Sequence, residues 1–252
     1  MSTQRQEGSD GTARTTTLNI LSGGAAQSLV HSLTPAFEAE TGLRIAGDFG
    51  AVGAMADRQR AGTPTDVVIL TAALIANLAD EGLVLQSSIA DIGRVETALA
   101  VRTGDTPVAA EDAASLLASD AIFVPDTKAS TAGIHVAKVL AQLDIANVVA
   151  DRLRVYPNGA TAMRHLAESR DRRPIGCTQS TEIISTEGVV LSGILPPGCG
   201  LATMYTAAVA TRAASASQAL RLITLLTSPE TSRLRSQAGF VSGPTSSTQP
   251  TA

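Results

Sequence analysis

The sequence predicts a two-lobed α/β protein with a doubly wound, mainly parallel sheet in each lobe and a ligand cleft between the lobes. Three observations support this fold class. Short apolar segments alternate with amphipathic segments along most of the 252 residues, as expected for strands joined by helices. The alternation falls into two series that meet near residue 97. The chain is also longer than most single domains, which leaves room for two lobes of ordinary size or for one large α/β domain.

The first series reads as a β-α-β-α-β run. Gly23 and Gly24 follow the first apolar segment, where the chain must turn sharply. Apolar residues at helical spacing then lead to Gly42, a residue type that often ends a helix in the left-handed conformation. Because helices connect the strands, the strands should be parallel. The predicted elements are a strand over 17–22, a helix from 26 to 42, a strand over 43–50, a helix to about 61, a strand over 66–71 and a helix over 72–81.

The second series continues the alternation and ends with two helices. The last helix should begin at Ser228, because serine is a good N-cap and Pro229 suits the first helical position. The predicted elements are strands over 97–101, 121–126, 152–157, 174–178, 188–195 and 202–211, and helices over 111–119, 132–143, 160–169, 217–226 and from 228 onward.

The order of the elements predicts that the chain passes between the lobes twice, near 97–102 and near 202–207. The segments before and after the ordered region are polar and rich in Ser, Thr and Gly, so we expect them to be disordered. The predicted boundaries are a tail over 1–16, the first lobe over 17–97, the second lobe over 98–204, a return to the first lobe over 205–242 and a tail over 243–252.

Composition excludes several classes of function. The net charge of −4 leaves no basic face for a nucleic-acid backbone. No apolar run approaches the ~20 residues that span a bilayer. Cys177 and Cys199 lie in no zinc-binding pattern, and we expect buried thiols, no metal and no cofactor. The N-terminus has no recognisable export signal, so the sequence as written predicts a cytoplasmic location, or a periplasmic one if a signal has been removed.

Four predicted turns join a strand to a helix and are rich in small or hydroxylated residues. Helix N-termini at such places offer unpaired N–H groups and a partial positive charge to anions. One such turn is often an ordinary loop, but four together favour a shared anion pocket. None matches the glycine patterns of nucleotide-binding loops. The turns are Ser22-Gly23-Gly24-Ala25, Gly50-Ala51-Val52-Gly53, the segment from Asp126 to Gly133, and Asn158-Gly159-Ala160-Thr161.

Few titratable side chains are candidates for chemistry. His135 falls in the first turns of a predicted helix, where the helix N-terminus favours the neutral ring, although a packing or solvent-exposed role is the commoner one. Arg164 lies on the next predicted helix and has the length to reach a carboxylate. No nucleophile elbow with a Ser, His and Asp order is visible, so classical hydrolase chemistry is not expected.

Several segments together resemble the molybdate-binding component of bacterial ABC transporters and its wider family of substrate-binding proteins. They are LNILSGGAAQSL, STAGIHVAKVL, PIGCTQSTEI, GVVLSGILP, and the pattern F-x-x-x-T-G followed by A-G-x-P-x-D-V-V-I-L. The resemblance covers about residues 17–240. It implies the type II periplasmic-binding-protein fold, a small anionic ligand and, if the chain is exported, an ABC permease as partner.

The same resemblance argues against molybdate as the ligand. Molybdate-binding proteins of this family hold the oxyanion with hydroxyl side chains, and the matching positions here are Ala25, Ala51 or Val52, and Gln179. A different oxyanion or a small organic acid is therefore expected. The residues expected to contact the ligand are Ser22, Gly23, Gly24, Ala51, Val52, Thr71, Ser130, Thr131, Ala132, Ala160, Thr161 and Gln179.

Some relatives with this fold are aconitate isomerases, so an isomerase acting on a small unsaturated polycarboxylate is the alternative to simple binding. Such a reaction needs cations for the carboxylates and a group that transfers a proton. Lys128 is a further candidate cation. The candidates for catalysis are His135, Arg164 and Glu182, and spacing assigns no roles among them. A sensor that binds a small effector is a third possibility, without a DNA-binding segment in this chain.

Overall fold

Nine strands and ten α-helices make up the part of the chain described by the computed structural model, residues 16–108 and 113–241. The strands are β1 Thr17–Gly23, β2 Arg44–Gly50, β3 Val67–Thr71, β4 Ala90–Arg102, β5 Ala121–Pro125, β6 Leu153–Tyr156, β7 Pro174–Gln179, β8 Val189–Ile194 and β9 Ala202–Val209. The helices are α1 Gln27–Thr41, α2 Val52–Arg60, α3 Ala72–Asp80, α4 Ala114–Ala118, α5 Thr131–Gln142, α6 Ala146–Val149, α7 Gly159–Glu168, α8 Ser180–Ile184, α9 Ala216–Thr227 and α10 Ser232–Gln237.

The predicted fold class, a two-lobed α/β protein, is confirmed, and the first series of elements lies close to its predicted bounds. In α1, Leu29, Val30, Leu33 and Phe37 are buried at helical spacing. Gly42 follows with φ of 70° and closes the helix in the left-handed conformation. The apolar periodicity and the glycine therefore act together to define this helix.

Four features differ from the prediction. β4 begins at Ala90 rather than at 97, because its first half contains Gly93 and charged residues that hide the strand pattern. α6 and α8 are too short to show periodicity in sequence. The last helix follows a 3-10 turn over Pro229–Thr231 rather than starting at Ser228. The predicted tails over 1–16 and 243–252, apart from Thr16, lie outside the described residues, as do residue 242 and the start of the helix predicted over 111–119.

The sheet is mixed, and its strand order is β2-β1-β3-β9-β4-β7-β5-β6, with β8 also paired to β4. β1 pairs in parallel with β2 and β3, and β5 pairs in parallel with β6 and β7, as the helical connections require. The pairs that involve β4 or β9 are antiparallel. Ala90–Glu96 of β4 pairs with β9, whereas Thr97–Arg102 pairs with β7 and β8. β4 therefore belongs to both halves of the sheet.

The buried side chains form one large cluster and two smaller ones. The large cluster draws on residues 18–95 and 205–240 and includes Phe37 and Leu222. The two smaller clusters draw on residues 98–199 and lie on opposite faces of the second half of the sheet, around Cys177 and Met163 respectively. The lobe boundaries after residues 97 and 204 stay a prediction.

Candidate functional site

Three of the four predicted turns are in contact with one another. The N–H of Gly53, after β2, donates to the carbonyl oxygen of Ala129, after β5, at 3.3 Å. A Cβ atom on Gly53 would lie 3.1 Å from the same oxygen. A Cβ atom on Gly23, at the end of β1, would lie 2.7 Å from Cγ1 of Val52. Small residues therefore let these turns approach closely, and the contact of Gly53 with Ala129 joins the two halves of the molecule.

The fourth turn joins the others through the carboxyl group of Glu182. A Cβ atom on Gly24 would lie 2.5 Å from Oε1 of Glu182. A Cβ atom on Gly159, the first residue of α7, would overlap Oε2 of Glu182 and Oγ1 of Thr178. Both positions need glycine because the Glu182 carboxyl group fills the space between the turns after β1 and β6.

Glu182 is buried, with only 6% of its surface exposed, and hydrogen-bond donors surround its carboxyl group. Thr178 Oγ1 donates to Oε2 at 2.5 Å. Backbone N–H groups of Gly159, Ala160 and Gln179 also hydrogen-bond to it and favour its charged form. Burial outweighs these donors and raises the pKa of Glu182. Burial and the nearby Glu182 charge raise the pKa of Tyr205 as well.

The predicted donors in the turn after β6 are consequently engaged within the protein. The N–H of Thr161 donates to Oδ1 of Asn158 at 2.9 Å, an ordinary N-cap of α7. Oγ1 of Thr161 accepts a bond from the exposed guanidinium of Arg164 at 3.1 Å. Ala160 and Arg164 line a separate cavity of about 590 Å³ beside α1, together with His31.

A cavity of about 390 Å³ lies where α2 and α3 begin opposite α5. Neither Ala51 nor Ser130 caps its helix with a side-chain hydrogen bond, which leaves the first-turn N–H groups of α2 and α5 without that partner. The lining residues are Val52, Gly53, Thr71, Leu74, Lys128, Ala129, Thr131, Ile134, His135, Lys138 and Leu201.

This cavity is lined by cationic side chains in an otherwise acidic protein. Lys128 and Lys138 are the only lysines of the sequence, and both line it. Neither forms a salt bridge with any residue that the structure describes. Nε2 of His135 lies 2.7 Å from the carbonyl oxygen of Cys199. Because a carbonyl oxygen only accepts hydrogen bonds, Nε2 carries the hydrogen, and in a neutral ring Nδ1 is the acceptor.

Only some of the ligand residues predicted from the sequence line the cavity. Thr71 lines the cavity and accepts the N–H of Leu74 at 3.4 Å. Ser22 is fully buried, and its hydroxyl donates to the Gly23 carbonyl oxygen at 2.9 Å. Of the predicted residues, Val52, Thr71 and Thr131 line the cavity, whereas Ser22, Gly23, Gly24, Ala51, Ser130, Ala132, Ala160, Thr161 and Gln179 do not.

Gln179 is buried at the end of β7, and within the described residues neither atom of its side-chain amide has a hydrogen-bond partner. It lies opposite Thr97 of β4, whose hydroxyl is also buried without such a partner. A pair of unsatisfied polar groups next to the junction of the two halves is unusual, because burying them costs free energy.

Lys138 and Tyr205 were not among the candidates that the sequence suggested. Lys138 follows Thr131, Ile134 and His135 at helical spacing, so these four residues share one face of α5. The helical period from Thr131 could have found Lys138. Tyr205 is one of two tyrosines and lies on a mainly apolar strand, which gives no signal of its position.

The comparisons with known proteins agree with this architecture. Residues 18–241 match the family described as bacterial extracellular solute-binding protein. The chain belongs to this family. This solute-binding protein is 26% identical over 238 residues to an aconitate isomerase of a Pseudomonas species, covering 89% of this chain and 87% of that protein.

Solved structures confirm the fold of this solute-binding protein. The periplasmic molybdate-binding protein of Azotobacter vinelandii matches with a TM-score of 0.76 at 16% identity, over 90% of this chain and all of that one. The sulfate-binding protein SubI of Mycobacterium tuberculosis matches with a TM-score of 0.68 at 19% identity, over 89% of this chain and 86% of that one. PEB3 bound to L-phospholactate matches with a TM-score of 0.66 at 13% identity, over 90% of this chain and all of that one. At these identities the likeness shows the fold alone.

Two further properties of this solute-binding protein concern metals and membranes. In residues 16–108 and 113–241, no group of three or more His, Cys, Asp or Glu side chains is placed to hold a metal ion. Both cysteines are free and buried, and burial raises the pKa of Cys177 to about 12. None of the described helices alone has the length and apolar character to cross a membrane, although the bent pair Thr131–Gln142 and Ala146–Arg152 passes that test jointly.

Proposed function

We propose that this chain binds a small organic anion in the cavity between α5 and the starts of α2 and α3. The observation that carries this proposal is that both lysines of the sequence line that one cavity, next to His135. The protein carries a net charge of −4, so an anion needs local positive charge to be held. Two ammonium groups suit a ligand with two or more negative charges.

The size of the cavity supports an organic acid over a tetrahedral oxyanion. Its volume of about 390 Å³ lies in the range of about 300–1,000 Å³ that is usual for sites of small organic ligands. Its lining includes the apolar side chains of Val52, Leu74 and Ile134, which suit a carbon skeleton between the charged ends. PEB3, a structural neighbour, is bound to L-phospholactate, also a small organic anion.

The lysines provide the first test. Lys128→Gln and Lys138→Gln, combined, should weaken binding of a di- or tricarboxylate by a factor on the order of 10² to 10⁴. A hydrogen bond to a charged group contributes about 1.5–3 kcal/mol, and each 1.4 kcal/mol corresponds to about tenfold in affinity. Calorimetry with the best ligand from a thermal-shift screen of small carboxylates measures this change.

Arg212→Gln is the matched control, because it removes one positive charge from an exposed residue that does not line the cavity. It should leave the affinity within about twofold, since exposed charges at a distance are screened. If the lysine variants and the arginine variant have the same small effect, the cavity is not the binding site.

We propose that the protein works outside the cytoplasm and delivers its ligand to an ABC permease. The family is one of extracellular solute-binding proteins, and structural neighbours include periplasmic proteins. These findings favour the periplasmic alternative, and the expectation of a cytoplasmic location has no support from them.

An isomerase is the second candidate function, and the position of His135 favours it. The ring lies in the cavity with Lys128 and Lys138, and its bond to the Cys199 carbonyl oxygen fixes its orientation. In an allylic shift, a base removes a proton from a carbon next to a double bond, the double bond moves by one carbon, and a proton is returned at the far carbon. The Nδ1 atom of His135 would take and return the proton. Arg164 and Glu182 do not line this cavity.

His135→Gln separates the two functions. If the protein is an isomerase, the variant should lose at least about 100-fold in kcat, the scale of general acid–base catalysis, with KM changed little. The absorbance of an unsaturated tricarboxylate such as cis- or trans-aconitate follows the reaction. Lys138→Gln should instead raise KM. An unmutated protein that binds tricarboxylates without converting them would remove the isomerase and leave the binding function intact.

A further inference from the structure

A buried carboxyl group occupies the place where an anion would meet the N-terminus of α7. The hydroxyl of Thr178 and the backbone N–H groups of Gly159, Ala160 and Gln179 all donate to Glu182. We call these four donors the anion seat. α7 has ten residues, so its N-terminus contributes a partial positive charge to the seat as well as its N–H groups.

Capping of its own helix does not explain this arrangement. Glu182 is the third residue of α8, and a glutamate there often reaches back to the backbone N–H before the helix, here that of Gln179. Such a cap needs only one donor. Glu182 is instead 6% exposed and uses two donors of α7 and the hydroxyl of Thr178. Burial of this carboxyl group costs free energy that a simple cap avoids.

The far side of the Glu182 carboxyl group is closed by the other half of the molecule. At Gly24, after β1, a Cβ atom would lie 2.5 Å from Oε1 of Glu182, so the backbone there packs directly against the carboxyl group. Tyr205 of β9 lies near enough for the Glu182 charge to act on its hydroxyl group. Glu182 thus sits at the junction of the turns after β1 and β6, between the two halves, as a cleft ligand would.

We propose that Glu182 is a built-in ligand whose carboxylate fills the anion seat and thereby excludes free tetrahedral oxyanions. This inference rests on the proposed function and deepens it, because it explains why the protein would select an organic anion in the neighbouring lysine-lined cavity. An oxyanion entering the seat would have to displace a covalently tethered carboxylate or lie against its charge in a buried place. Both costs disfavour the oxyanion.

Removal of the side chain should convert the seat into a site for a free anion. Formate and sulfate should each stabilise Glu182→Ala in a saturable manner. The concentrations needed should be at least about tenfold lower than those that affect the unmutated protein. Chloride at equal ionic strength controls for screening. Glu182→Gln is the matched variant, because its amide keeps the seat filled, so neither anion should stabilise it. Thermal unfolding over a concentration series measures all three proteins.

Two outcomes that do not involve the lysine variants would overturn the proposal. One is submicromolar binding of molybdate or sulfate to the unmutated protein, which needs no variant to fold. The other is an equal response of Glu182→Ala and Glu182→Gln to formate. Repeating the Glu182→Ala titration with Lys128→Gln and Lys138→Gln added separates the two sites. Stabilisation that survives supports the seat even if the lysine cavity binds nothing, and stabilisation that vanishes places the anion among the lysines and defeats the seat.

Discussion

Glu182 shows how burial and hydrogen bonding act in opposite directions on one carboxyl group. Burial raises its pKa, and four donors lower it in part. The sequence identified Glu182 as a candidate from its residue type and from the family-like segment PIGCTQSTEI. It could not identify the partners, because Thr178 and Gly159 reach the carboxyl group only after β7 and α7 have packed together. The role of a buried charge therefore depends on tertiary contacts that spacing does not encode.

The raised pKa of Glu182 predicts a pH dependence of stability. The unfolded chain releases this proton at a lower pH than the folded chain, so the folded state binds more protons between the two pKa values. The contribution to stability is therefore fully present below the unfolded pKa and is lost as pH rises through the folded pKa. The free energy of unfolding, measured for the unmutated protein minus Glu182→Gln, should fall as pH rises, by at most about 1.4 kcal/mol per pH unit.

Tyr205, on which the Glu182 charge acts, stays neutral in this range because its own pKa is raised. Asp126 gives a control of opposite sign. The N–H groups of Lys128 and Ala129 lower its pKa, so its contribution is present above the unfolded pKa and is lost as pH falls through the folded one. If the free energy of unfolding of the unmutated protein minus that of Glu182→Gln rose with pH, as is expected for Asp126→Asn, the direction assigned to the pKa of Glu182 would be wrong.

At the scale of elements, the N-termini of α5 and α7 differ in what they contact. The start of α5 lines the lysine-containing cavity, whereas the Glu182 carboxyl group occupies the start of α7. One face of α5 presents Thr131, His135 and Lys138 to the cavity, while Val136 and Leu140 are buried on the other. The sequence predicted the helix within a residue at each end but not which face meets the first lobe. That information lies in the packing of α5 against β5 and β7, which a helical period alone does not specify.

The turn before α7 should not tolerate a side chain at its first helical residue. Gly159→Ala would drive a methyl group into Glu182 and Thr178, and overpacking of this kind costs about 1–3 kcal/mol. Chemical denaturation measures the loss. Gly200→Ala is the control, since a Cβ atom there would meet nothing within 4 Å. Adding Glu182→Ala to Gly159→Ala should recover part of the loss, and strict additivity of the two changes would show that these groups do not collide.

At the scale of the whole molecule, the sequence predicted the alternation of strands and helices and the two-lobed fold class. It did not predict that β4 is one strand from Ala90 to Arg102 shared by both halves of the sheet. The first half of β4 lacks a clear alternating pattern, and its partner β9 lies more than 100 residues away. Pairing between such distant segments is decided by the global fold and leaves little local trace.

The place of β9 between β3 and β4 has a consequence for how the chain folds during its synthesis. During synthesis, β1, β2 and β3 leave the ribosome early, but the strand that joins β3 to β4 is Ala202–Val209. Residues 98–199, which hold the two smaller buried clusters, are therefore made before β3 can pair with β9. Until then β3, Val67–Thr71, presents an unpaired edge of mainly apolar residues, which is the type of surface that chaperones protect in nascent chains.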